Sequence, residues 1–183
     1  MAETRSPSPL SDAGAELSSI LDSIPAPLFL TTRDGRCAWV NAAFREDYGQ
    51  VFGAAAEGLL GKTMRELAQS PEAGVEALTA HERVLTTGAP HSYVTSYVFP
   101  DGTLHRLLMR KAPYRALGSA EITGVVTVVL DVTELDEAQQ ALADSEHQYR
   151  DLVENTSALI VRLDREGRIT FCNSSTESFF GYP

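Results

Sequence analysis

The sequence predicts an antiparallel α+β domain, and three observations predict it. Two short apolar strand-like runs precede a helical middle, and three longer ones follow it. Asp34-Gly35 and Pro100-Asp101-Gly102 separate paired runs, as hairpin turns require. Leu21 to Gly49 and Leu152 to Gly181 also spell the same order of residue types, 131–132 positions apart. A period that long marks a repeated domain rather than a solenoid unit. The chain therefore reads as one complete domain and the opening of another, cut from a longer protein.

Each element follows from local chemistry. Residues 1–13 are rich in Ser, Pro and small polar types and read as disordered. From Ala15, the residues Leu17, Ile20, Leu21 and Ile24 fall at helical spacing until Pro25 stops them. Strands follow at 26–32 and 37–40, and Asn41 suits an N-cap for the helical stretch Ala42 to Gly49. Gly61-Lys62-Thr63 opens a short helix through Leu67. A longer helix runs from about Pro71 to Thr86, with Val75, Leu78, Thr79, Val84 and Leu85 as its apolar side and Gly88-Ala89-Pro90 as its stop. Strands at 92–99, 103–114 and 122–132 complete the domain, the last Val-rich as a central strand should be.

The second copy repeats the pattern with Leu159-Ile160-Val161, the turn Arg165-Glu166-Gly167-Arg168, Phe171-Cys172, and Asn173 as the matching cap. Between the copies, Leu135, Ala138, Leu142, Ser145, Tyr149 and Leu152 alternate at three and four, a short heptad seam. Residues 133–156 carry seven acids and one Arg, so the other faces of this helix are solvated.

Composition narrows the function. At 183 residues, with 43% apolar and 22% charged, the chain is of ordinary globular type. Its 25 acidic and 15 basic residues give a net charge of −10 with no Lys/Arg cluster, which opposes binding to phosphate backbones; no nucleic acid is expected as a partner. Cys37 and Cys172 lie in different copies and form no disulfide framework, which fits a reducing, cytoplasmic setting. There is no run of 18 apolar residues and no signal-peptide pattern, so no direct membrane contact is expected. Ser and His residues are scattered without catalytic spacing and no phosphate-binding glycine loop occurs, so this segment is not read as an enzyme. No metal set is expected.

The order of Asp34-Gly35, Val40-Asn41, Glu82-Arg83-Val84-Leu85-Thr86-Thr87-Gly88, Asp101-Gly102 and Asp131-Val132-Thr133-Glu134 resembles a PAS sensor domain. The resemblance covers 14–132 with its N-terminal helix. It is followed by a linker or signalling helix at 133–151 and the start of a second PAS domain at 152–183. It implies a PAS-like five-stranded antiparallel sheet with helices on one face, a cavity between them, and a C-terminal signalling helix. It also implies a regulatory sensor and dimerisation module of a bacterial signal-transduction protein, with a sensor histidine kinase of the two-component type expected as the parent. A diguanylate cyclase or phosphodiesterase parent, or a ligand-free interaction domain, are the alternatives. The expected partners are a second copy, paired through the N-terminal helix and the coiled coil of the linker helix, and an output domain downstream in the same chain.

Site residues follow from that frame. Asp131, Thr133 and Glu134 match the Asp-x-Thr junction and are expected to transmit the signal, with the Asp131 carboxylate capping the helix. Leu78, His81, Tyr93, Tyr97, Leu107 and Met109 are expected to line the cavity, filled either by the side chains themselves or by a small organic ligand. His81 is the position type that haem-binding members use, and Trp39 is the aromatic that a non-covalent flavin would engage; both cofactors rank below no ligand or a small organic one. The photosensory Asn-Cys-Arg-Phe motif has no counterpart between Gly61 and Gly88.

Overall fold

The structure, a computed structural model, describes residues 9–48, 58–68, 70–116 and 118–181. The expected disorder of 1–8 and the end of the first helical stretch at Gly49 fall outside those residues. The chain divides into two compact units, Met1–Thr133 and Glu134–Pro183.

In the first unit, α1 (Pro9–Asp22) leads to β1 (Leu28–Thr32) and β2 (Cys37–Val40), a π-helical turn at Phe44–Tyr48, α2 (Met64–Leu67), α3 (Pro71–Thr87), β3 (His91–Val98), β4 (Leu104–Tyr114) and β5 (Gly124–Asp131). The helix α1 starts at Pro9, so 9–13 are helical rather than disordered: proline has no amide to lose in a first turn. The five strands form one antiparallel sheet in the order β2-β1-β5-β4-β3. The Val-rich β5 is central, as its composition requires, because both of its edges are paired.

The core lies between the inner face of this sheet and the helices. Phe29, Val40, Phe44, Leu59, Leu67, Tyr97, Leu107, Met109 and Val129 form it, with the Phe29 and Phe44 rings edge to face at 5.2 Å. The helix α3 buries Gly74, Ala77, Ala80, His81 and Val84, so that of the expected apolar side only Val84 is fully buried. Val75 and Thr79 face solvent, and Leu78 and Leu85 are only half-buried. Small residues win because α3 lies close to its neighbours: a Cβ on Gly74 would sit 3.3 Å from Ala68 Cβ and 3.4 Å from Arg65 Cα.

Local signals explain the element ends. Thr63 and Glu66 cap α2 reciprocally, each side chain taking the other's backbone amide. Ser70 caps α3, whose C-terminal Gly88 is left-handed at φ 67°.

The helix α4 (Thr133–Asn155) starts at the last residue of the first unit, and in the second unit it precedes β6 (Val161–Leu163), β7 (Ile169–Cys172) and α5 (Ser174–Phe180). The helix runs to Asn155, four residues past the expected end of the linker, since nothing before Thr156 breaks it. The strands β6 and β7 pair antiparallel with the same kind of register shift seen between β1 and β2.

Candidate functional site

Asn41 and Asn173 do more than cap. The Asn41 Oδ1 accepts from the amides of Leu28 and Phe44, while its Nδ2 faces the carbonyls of Leu21, Ile24 and Ala26. Asn173 repeats this set 132 residues later, accepting from Ile160 and Thr176 and donating to Val153, Thr156 and Ala158. Each asparagine thus ties the end of an incoming helix to a hairpin and to the next helix. Asp22 adds a bond to the Ala42 amide, and Glu154 makes the matching one to Ser174. A cap needs only one such acceptor bond; the other contacts join residues far apart in sequence, which no local pattern reveals.

A small void of about 20 Å³ lies between sheet and helices, room for about one water molecule. Phe29, Phe44, Leu59, Met64, Tyr93, Tyr97 and Met109 make its wall apolar and aromatic, with Cys37 and Lys111 at its polar positions. Of the expected lining residues, Tyr93, Tyr97 and Met109 are there. Leu107 is buried in the core but lies off the void, and Leu78 and His81 also lie outside it, because α3 turns Ala77 toward the void. Leu78 instead approaches the turn at Gly35. Burial pushes the Cys37 thiol up to about 11 and the hydroxyls of Tyr93 and Tyr97 above their ordinary value.

His81 is buried with both ring nitrogens engaged, Nδ1 at 3.3 Å from Thr31 Oγ1 and Nε2 at 3.3 Å from the Arg33 carbonyl. Neither nitrogen is left for a haem iron. Burial depresses its pKa, against the pull of the Arg33 carbonyl. Trp39 is half-buried and does not touch the void. Among the described residues no cluster of His, Cys, Asp and Glu could hold a metal.

Lys111 is the residue that sequence reasoning missed. Strand pairing puts Phe29, Thr127 and Lys111 in one row across β1, β5 and β4, all facing inward. Lys111 is 1% exposed, with its Nζ 3.4 Å from Thr127 Oγ1 and 5.6 Å from the centre of the Phe29 ring. Burial lowers its pKa to about 8. The signal was available: Leu107, Met109 and Lys111 share one phase of the strand alternation.

The other end of the sheet carries the junction. Asp131 Oδ1 accepts from the Thr133 amide at 2.9 Å and from its hydroxyl at 2.6 Å. Thr133 Oγ1 accepts from the Arg106 amide at 2.9 Å, and the Val132 amide donates to the Arg106 carbonyl. Asp131 Oδ2 lies 2.5 Å from His105 Nδ1, and His105 Nε2 lies 2.8 Å from Thr103 Oγ1, itself bonded to Asp101. The Phe99 ring stacks on His105 at 3.9 Å. A row of polar groups therefore connects the β3–β4 turn, β4, the end of β5 and the first residue of α4. Burial works to raise the Asp131 carboxyl, and the bonds from Thr133 and His105 outweigh it, holding the carboxyl below its ordinary value. Glu134 is exposed and makes no side-chain bond in this row.

The geometry matches known proteins. Residues 21–137 match the family model described as PAS fold, and residues 147–183 one described as PAS domain. An uncharacterised protein of Sinorhizobium fredii is 31% identical over 143 residues, 76% of this chain and 16% of that protein. The non-motile and phage-resistance protein of Caulobacter vibrioides is 38% identical over 63 residues, 34% of this chain and 8% of that one. This chain thus spans under a fifth of either relative. Among solved structures, the PAS domain of Bordetella pertussis BvgS aligns at 26% identity with a TM-score of 0.52, covering 75% of this chain and 98% of that one. VqmA bound to DPO aligns at 23% identity with a TM-score of 0.55, covering 64% and 57%, and supports the fold alone. PAS domains are sensory and signalling modules rather than catalysts, and no helix among the described residues is long and apolar enough to cross a membrane. The five-stranded antiparallel sheet, the helices on it and the family match agree: this chain belongs to the PAS fold family.

Proposed function

We propose that this chain is the input and relay portion of a bacterial sensor histidine kinase, in which a change at the void passes along β5 to α4. The observation that carries the reading is the Asp131–Thr133 clasp. Thr133 Oγ1 donates to Asp131 and accepts from the Arg106 amide, so the first residue of α4 is fastened to two strands at once. A shift of β4 against β5 must move that residue or break the clasp. Such a bistable contact is what a relay needs. The sensed input is a small organic ligand, a reading supported by the apolar lining and by the neighbouring VqmA, whose solved complex holds DPO. Self-association through α1 and α4, and an output domain downstream, complete the proposal. The acidic surface argues against nucleic acid as a direct partner of this segment.

The test compares Thr133→Val with Thr133→Ser in the full-length parent, reading autophosphorylation, and in this chain, reading Tm. Valine fills the same space without the hydroxyl, so it should change kinase output severalfold while costing about 1 kcal/mol of stability. Serine keeps both bonds and should restore output. If both variants leave output at the wild-type level, the clasp is only a helix cap.

A further inference from the structure

We propose that the void is an anion-reading site, in which Lys111 takes the charged oxygen of a small organic acid whose apolar body packs against the surrounding aromatic side chains. The proposal rests on the reading of this chain as a sensor and names what it senses.

An ammonium group has three N–H donors. Lys111 has one long contact to Thr127 Oγ1 and the face of Phe29, and among the described residues no carboxylate lies within ion-pair distance of it. Buried charges in folded proteins are otherwise paired or hydrogen-bonded, because removing them from water is among the costliest steps in folding. A lysine serving only as packing would carry its head out to solvent along its flexible stem. Here the head stays buried, beside Thr127 Oγ1, and Lys111 is one of the residues that line the void.

The lining fixes the ligand class. Phe29, Phe44, Met64, Tyr93, Tyr97 and Met109 offer apolar and aromatic contact, and among the described lining residues no acidic side chain stands to receive a cation. A molecule with one anionic head and a short apolar body satisfies Lys111 and the wall together. The void of about 20 Å³ is too small for such a molecule without rearrangement. Met64 and Met109 are unbranched and can repack around it. Entry must therefore displace side chains carried by α2 and β4, and β4 also holds Arg106 at the junction.

The chain has only two lysines, Lys62 and Lys111, which makes the test direct. Lysine labelled with carbon-13 at Cε gives two signals, with exposed Lys62 as the internal reference. The probes are propionate, isovalerate and benzoate, each against its amide. At least one acid should move the titration midpoint of Lys111 upward from about 8, because an anion beside the ammonium favours the charged form. It should leave Lys62 in place, and the amides should move neither. The same acid should raise Tm, and Lys111→Met should abolish that rise while raising the Tm of the unliganded chain. The proposal is overturned if no acid moves Lys111, if acid and amide act alike, or if Lys111→Met keeps the acid-induced rise. Thr133→Val leaves the void intact, so acid binding that survives in that variant while output is unmoved points to a failed relay rather than to a failed site.

Discussion

A single buried lysine sets the residue-scale energetics of this domain. Lys111 titrates near 8 when folded, against an ordinary value of 10.5 when unfolded. Below pH 8 both states hold the proton and the folded state bears the full cost of the buried charge. Between about 8 and 10.5 the unfolded chain binds more protons, so this group makes stability climb with pH. Above that window both forms are neutral and the cost has gone. The difference corresponds to roughly 3 kcal/mol. Cys37 acts in the opposite sense, because its raised pKa of about 11 lets the folded state keep a proton that the unfolded chain has lost. Raw stability against pH therefore mixes the two, and Lys111→Met isolates one of them. At pH 7 that variant should exceed the wild type by roughly 1–3 kcal/mol in urea unfolding, and the gap should close as pH rises past 8. A gap that stays constant to pH 10 would mean that the charge of Lys111 is not what destabilises the fold.

The elements show where sequence periodicity was enough and where it was not. The strands, their turns, the long helix and its stop at Gly88 were legible, because Asp-Gly turns, β-branched runs and a left-handed glycine cap are local signals. The buried side of α3 was not. Apolar size pointed to Val75 and Leu78, but α3 buries Gly74, Ala77 and Ala80, with Gly74 packed closely against α2. For the junction the sequence offers Asp131, Thr133 and Glu134; His105 and Arg106 join it only through the pairing of β4 with β5, which places residues far apart in sequence side by side. Lys111 was hidden by its type, since a lysine in a strand is usually solvated. Tertiary crowding also marks Gly124, the first residue of β5. A Cβ there would collide with the Thr31 carbonyl oxygen in the paired strand β1. Gly124→Ala should therefore cost about 3 kcal/mol or more, since the obstacle is backbone and cannot swing aside. Urea unfolding against the wild type measures this, and a loss below about 1 kcal/mol would show that β1 shifts freely along β5.

Across the whole chain, α4 has a fastening at each end. Its first residue joins the clasp with Asp131 and Arg106, and its last turn receives Asn173, as the end of α1 receives Asn41. One helix is thus the exit of the first copy and the entry of the second. Along it, Leu135, Leu142, Tyr149 and Leu152 are 59–72% exposed. Four large apolar side chains at heptad spacing on one exposed helix are a seam that the described residues leave open. A second copy of the same helix is the partner whose pattern matches. The acids of α4 oppose that pairing by like-charge repulsion, which salt screens. The self-association proposed for this chain should accordingly strengthen as salt rises from low to moderate concentration, opposite to a contact held by ion pairs. Leu142→Asp places a charge in the middle of the seam at a position 62% exposed, so it should abolish the dimer without lowering Tm by more than about 2 °C. Sedimentation equilibrium across a salt series reads the first effect, and the same measurement on Leu142→Asp reads the second. A chain that stays monomeric at every salt and concentration, or a variant that dimerises like the wild type, would remove α4 from the interface.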